Sequence, residues 1–190
     1  MTTSTDHHDR AVRVRRATPD DVPALVALAA LTFPLACPPD ATPEAMAEHV
    51  ATHLSPERFR GWAASAAHAL LLVEPDGPGE VAPSGYALLV RGVLDAEDVA
   101  AVVGHDETVE LSKIYVHPDA QGTGAAGALM EAALAVAAEL GPGLTVWLGT
   151  NGLNARAQAF YRKYGFALVG ERAYVVGGER HEDVVMVRGA

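Results

Sequence analysis

Gly122, Gly124 and Gly127 stand close together in the segment "QGTGAAG", at the spacing G-x-G-x-x-G. Glycine lets a backbone approach a ligand closely, and a helix entrance offers unpaired N–H groups to an anion. A pyrophosphate is the ligand this chemistry suits. The dinucleotide-binding form of the motif places its first glycine at the tight turn ending a strand. It also needs an acid about 20 residues on, at the end of the next strand. Here "HPDA" separates the strand-like "TVELSKIYV" from the glycines, and Gly149 and Thr150 stand where the acid belongs. The segment also lies past the middle of the chain. The dinucleotide reading is therefore set aside. Gln121, Gly124 and Ala126 form a second pattern, Q-x-x-G-x-A. On this motif alone, small residues opening a helix by chance compete with it.

Other reactive groups are sparse. Cys37 is the only cysteine and sits in the turn-like "FPLACPPD". It has no intrachain disulfide partner, which fits a reducing cytoplasm, and no neighbouring motif that would make it a nucleophile. No Cys/His spacing forms a zinc site, so no metal is expected. His117 precedes Pro118 and belongs to a loop, and Trp147 suits a core position.

The elements that must hold these groups follow from periodicity and capping. "AVRVRRA" (11–17) alternates as a half-buried strand does. Thr18, Pro19 and two acids predict a helix from about Pro19 to Leu31. "TPEAMAEHVATHL" (42–54) and "SPERFRGWAASAA" (55–67) repeat that capping grammar. "HALLLVE" (68–74) and "GYALLVRG" (85–92) flank a turn cluster and predict a hairpin. The acidic stretch 93–107 is expected to be a long connection that is mobile or lines a site. "TVELSKIYV" (108–116) is a strand, followed by an alanine-rich helix over 125–140 that "GPG" stops. "LTVWLGT" (144–150) is a strand, and 154–166 is a helix closing on Gly165. Two closing strands, 167–176 and 182–189, flank "GGERH". No repeat or linker interrupts this order. It predicts a polar tail over 1–10 and one mixed α/β domain over 11–190.

The chain has 190 residues and a net charge of −10. That charge argues against nucleic acid, which needs a basic footprint. It suits solubility, and it could also steer a cationic small molecule. No run of about 18 apolar residues is evident, so no membrane span is expected.

"ELSKIYVHPDAQGTGAAGALM" followed by "LTVWLGTNGLNARAQAFYRKYGF" resembles the GNAT N-acetyltransferase superfamily. The resemblance is strong over 108–166 and looser over nearly the whole chain. The second block carries the pattern N-x-x-A-x-x-F-Y-x-x-x-G-F. The order of features is most similar to the bacterial spermidine and diamine acetyltransferase branch. The resemblance implies a mixed, mostly antiparallel central sheet of about seven strands, splayed between the fourth and fifth, with helices on both faces. It implies acetyl-CoA as cosubstrate and acetyl transfer to the primary amine of a small molecule by direct attack in a ternary complex. The rival readings are a non-catalytic acyl-CoA sensor and a protein or peptide N-acetyltransferase. Members often dimerise, so a homodimer is carried as an expectation.

The same resemblance assigns residues. Backbone amides of Gly122, Thr123, Gly124, Ala125, Ala126 and Gly127, with Gln121 opening the turn, would take the pyrophosphate. Gly127 alternatively just packs the helix. Charge help to the phosphates would have to come from elsewhere in the chain. The edge of Ile114, Tyr115 and Val116 would pair with the pantetheine arm, Val116 N–H lying near the thioester carbonyl. Asn154 would contact that arm or cap a helix. Tyr161 matches the general-acid position, and a phenol can protonate a leaving thiolate. Glu110 matches a general-base position. Strict alternation would place it on one face with Ser112, Ile114 and Val116. Other members carry their glutamate where this chain has Gly149, so a water-chain base is the alternative. Phe33, His181 and the acids of 92–107 are candidates for shaping the acceptor site.

Overall fold

The computed structural model describes residues 11–37, 41–76, 82–176 and 179–189, with the side chains of 174–181 outside that description. The tail expectation for 1–10 and the proposed pocket role of the His181 side chain therefore lie outside the described residues. Among the described residues, seven strands form one sheet in the order β1-β2-β3-β4-β5-β7-β6. They are β1 (Val12–Arg16), β2 (His68–Pro75), β3 (Gly85–Val93), β4 (Glu107–Val116), β5 (Val146–Asn151), β6 (Ala167–Val176) and β7 (Glu179–Arg188). All pairings are antiparallel except β4 with β5. This is the mixed, mostly antiparallel sheet that the resemblance implied.

The capping residues start the helices largely as read. The Thr42 hydroxyl accepts from the Ala45 amide at 3.2 Å, and α2 is Pro43–His53. The Ser55 hydroxyl accepts from the Arg58 amide at 3.4 Å, and α3 is Pro56–Ala64. The first helix is a correction. The Asp21 carboxylate accepts from both the amide and the hydroxyl of Thr18, at 2.7 and 2.9 Å. That tightens Pro19–Asp21 into a 3-10 turn, and α1 begins only at Val22, as Val22–Thr32. Arg15 grips the same carboxylate at 2.8 and 2.7 Å, tying β1 to the entrance of α1.

The segment Pro19–Ala36 is also apolar enough by length and composition to cross a membrane, with a hydropathy of 1.3. The sequence reading missed this. In the fold its Val22, Leu25, Leu28 and Ala29 are buried in a core with Phe59, Leu70, Leu72 and Tyr86.

The 93–107 connection is a second correction. It contains a helix, α4 (Glu97–Val103), whose Val99 packs with Trp147 and Val185. On the opposite face, α5 (Ala125–Leu140) lays Leu129, Met130 and Ala133 against Leu71, Leu89 and Val109. α6 (Ala155–Lys163) adds Phe160 and Tyr161 to the edge of that core. Helices therefore cover both faces, and the sheet cannot shift without uncovering one of these cores.

A bulge in β4 decides what the site can be. The β3–β4 register runs Ala87↔Ile114, Leu88↔Lys113, then Leu89↔Leu111, so Ser112 is an extra residue. An extra residue reverses the alternation beyond it. Val109 and Leu111 face the α5 core, and so do Ile114 and Val116. Glu110 therefore shares the opposite face with Lys113 and Tyr115, not with Ile114 and Val116 as strict alternation gave. The backbone follows the same reversal. Val109 N–H donates to Thr145 O, toward β5, at 3.0 Å, whereas His117 N–H donates to Ser84 O, beside β3, at 2.7 Å. Alternation then turns the N–H groups of Ile114 and Val116 away from β3, toward β5.

Candidate active site

β4 and β5 part almost as soon as they meet. Their ladder consists of Val109↔Val146 and Glu110↔Trp147, yet β4 continues to Val116 and β5 to Asn151. The gap opens on a cleft of about 340 Å³. Of the candidate residues from the sequence, Glu110, Ile114, Tyr115, Asn154 and Tyr161 line it. Val116 and the glycine turn are not among its walls. The α1 and α2 side contributes Phe33, Cys37 and His49.

Tyr161 is held by ring contacts to Phe160 and Phe166, with centroids 5.7 and 6.1 Å apart. Burial pushes its hydroxyl up to about 12, so the phenol keeps its proton across the neutral range. Burial also raises the Glu110 carboxyl, with Arg172 and Lys113 opposing that shift. A carboxylate raised this way is a better proton acceptor than a solvated one. Asn154 serves as a cap, its Oδ1 accepting from the Ala157 amide at 3.0 Å. With that oxygen engaged, its NH₂ is the half that can donate into the cleft. The Cys37 thiol is pushed up by burial and donates to Phe33 O at 3.4 Å, the opposite of an activated nucleophile.

Arg172 has no signal in the sequence, and it occupies the space above Gly149. A Cβ at 149 would collide with its guanidinium. The position that the resemblance gives to an alternative glutamate is thus filled by an arginine from β6, reaching across β7. Arg172 stacks over the Trp147 ring at 5.5 Å and meets the Asp183 carboxylate at 3.5 Å. Lys113 lies 5.3 Å from the Trp62 ring centroid. His49 stacks on Phe33 at 4.3 Å and 4°. Burial first, then His53 and Lys113, lower it to about 4, so it is neutral at pH 7. Among the described residues, the charged groups lining the cleft are thus Glu110 and Asp183 against Lys113 and Arg172, and these balance.

The glycine turn lies at the entrance of α5. Gly122 and Gly124 have φ of 82° and 87°, in the left-handed region, and a Cβ on either would meet open space. Their glycine identity serves conformation and external access, not internal packing. The first bond of the helix runs from Ala128 N–H to Gly124 O. The amides of Gly122, Gly124, Ala125, Ala126 and Gly127 have no acceptor among the described residues. Two neighbours differ. Gln121 N–H donates to Pro118 O at 3.1 Å, and Thr123 N–H to Ala120 O at 3.4 Å. Gly127 has a packing role as well, since a Cβ there would lie 3.0 Å from the Tyr164 hydroxyl. The Gln121 side chain accepts from Arg156 at 3.2 Å, which fastens the turn to α6 and brings a cation beside it.

This combination of a parted parallel pair, an open-amide helix entrance and a phenol in the cleft agrees with the comparison to known families. The acetyltransferase (GNAT) family model matches residues 37–166, and the chain belongs to that family. It is 45% identical over 168 residues to an uncharacterized N-acetyltransferase of Mycobacterium tuberculosis (strain ATCC 25618 / H37Rv), covering 88% of this chain and 97% of that one. It is an N-acetyltransferase. Among solved structures, the fold is similar to a PaiA N-acetyltransferase of Thermoplasma acidophilum in complex with coenzyme A. The TM-score is 0.70 at 16% identity, over 95% of this chain and 99% of that one. NAA60 of Arabidopsis thaliana, in complex with acetyl-CoA, gives 0.69 at 16% identity, over 94% and 98%.

Proposed function

We propose that the protein moves an acetyl group from acetyl-CoA to the primary amine of a small molecule, by direct attack within a ternary complex. The observation that carries this is the cleft itself. The β4–β5 gap, Glu110 and Tyr161 meet in about 340 Å³, a volume suited to a small acceptor.

The residues fit the cosubstrate. The open amides of Gly122 and Gly124 to Gly127 suit a pyrophosphate at a helix entrance, and Arg156 supplies the positive charge that the turn lacks. The N–H groups of Ile114 and Val116 face the gap, where they can pair with the amides of an extended arm. Acetyl-CoA, when bound, supplies an acetyl thioester. The acceptor nitrogen then forms the new C–N bond as the C–S bond breaks. Glu110 takes the amine's proton, through water, and the Tyr161 hydroxyl gives one to sulfur. Val116 N–H polarises the carbonyl. Cys37, protonated and engaged, offers no acyl-enzyme route.

The spermidine and diamine branch is the finer reading suggested by the order of elements. A homodimer and a cytoplasmic setting belong to the same reading. The test is a thiol-release assay with acetyl-CoA and a panel of polyamines, amino acids, aminoglycosides and peptides. Release with small amines supports the proposal. Release with peptides alone replaces it by a protein acetyltransferase, and tight coenzyme binding without any release replaces it by a sensor.

A pH profile tests the base. Glu110 accepts a proton only when ionised, and its pKa lies above the ordinary carboxylate value. kcat/KM therefore rises with pH through that raised pKa and is lost below it. Glu110→Gln removes this limb and lowers kcat/KM by about 10- to 100-fold. The acceptor's own ionisation gives a limb that moves with the amine chosen, while the Glu110 limb stays in place. A Gln variant with an unchanged profile assigns the proton to a water chain.

A further inference from the structure

We propose that the acceptor carries an anionic group, a carboxylate or its phosphonate analogue, close to its amine, and that Lys113 binds it. This rests on the acetyltransferase reading above and names the substrate class of the same cleft.

The argument starts from the charges. Arg172 is engaged with Asp183 and with the Trp147 ring. Lys113 lies over an aromatic ring, and among the described residues no carboxylate lies within 4.0 Å of it. Burial and the nearby Arg172 and Arg58 all work against its charge, and Glu110 alone favours it. A desolvated ammonium without a close counter-ion is costly, and a ligand anion would offset that cost. Lys113 also lines the cleft, where such an anion would arrive.

Geometry then sets the size of the acceptor. The Ser112 bulge places Glu110 and Lys113 on one face, as successive residues on that side of the strand. Two strand steps span about 7 Å. An amine reaching Glu110 through one water and an acid reaching Lys113 directly then fit within one small molecule. An α-amino acid has that shape. A polyamine has no anion to offer Lys113, so this acceptor class departs from the spermidine and diamine reading above.

The experiment measures acetyl transfer to matched sets: the common amino acids, their carboxamides, the corresponding decarboxylated amines, aminophosphonates and polyamines. The expected result is that acids exceed their carboxamides in kcat/KM by at least about 10-fold, chiefly through KM, as for hydrogen bonds to a charged group. Lys113→Met should bring the acid-to-carboxamide ratio close to 1, and Lys113→Arg should restore part of it. Coenzyme A affinity, measured by calorimetry, reports that each variant is folded. Aminophosphonates outperforming carboxylates would assign the anion as a phosphonate. Carboxamides or polyamines equal to acids would overturn the proposal while leaving the acetyltransferase intact. A ratio unmoved in Lys113→Met would also overturn it. Failure of every amine to release thiol would bring down the parent reading with it.

Discussion

Tyr161→Phe lowers kcat by about 10- to 10⁴-fold, with coenzyme affinity and melting temperature nearly unchanged. The ring accounts for the packing, because its contacts to Phe160 and Phe166 need no hydroxyl. In the proposed mechanism, what the variant removes is a proton donor lining the cleft. With its pKa pushed up to about 12, Tyr161 is a weaker acid than an ordinary thiol. Complete proton transfer to the departing sulfur is therefore uphill at first. The early contribution is a hydrogen bond to the developing negative charge, with the proton following as the C–S bond opens. Such a donor acts on the transition state and not on ground-state binding, so kcat falls while KM for acetyl-CoA holds. Rapid-mix or steady-state thiol release, with calorimetry for coenzyme binding, checks the split. A Phe variant within twofold of the parent in kcat would reduce Tyr161 to a packing residue and leave the leaving group to solvent.

How far the sequence discloses this site depends on the range of each interaction. Caps are local: Thr42 and Ser55, each followed by proline, specify the starts of α2 and α3 within four residues. The glycine turn is local too, since its positive φ angles demand glycine at 122 and 124. The β2–β3 and β6–β7 hairpins follow from their turns, whereas the parallel β4–β5 pair and the place of β7 between β5 and β6 do not. What stays hidden is set across the sheet. The Ser112 bulge arises from the partner register with Leu88 and Leu89, and no residue in "ELSKIYV" announces it. Missing it puts Glu110 on the wrong face and leaves Lys113 unnoticed. Gly149 signals a need for space, but the group that fills it, Arg172, lies 23 residues away on a strand two positions over. α4 escaped because its seven residues open with acids and show little apolar periodicity. Its stability comes from Val99 meeting Trp147 and Val185, a tertiary contact that helix grammar does not encode.

Gly124→Val is expected to weaken coenzyme A binding by about 100-fold or more, the loss of one or two charge-assisted hydrogen bonds to phosphate. Two effects have to be separated. Any L side chain at φ 87° is strained, by about 1–2 kcal/mol. Bulk at that position also stands between the open amides and an approaching pyrophosphate. The folded chain itself does not resist the bulk, because a Cβ at 124 meets nothing within 4 Å. Gly124→Ala carries much of that backbone strain with less bulk, a β-branched side chain being the more strained at positive φ. Both variants should therefore lower the melting temperature, Val more than Ala, while the affinity loss in Val clearly exceeds that in Ala. Calorimetric titration with coenzyme A and thermal unfolding of both variants provide the comparison. Equal affinity losses in Ala and Val would trace the effect to turn geometry alone. Normal affinity in the Val variant would remove the phosphates from the α5 entrance, and with them the anchor that directs the acetyl thioester along β4 toward Tyr161.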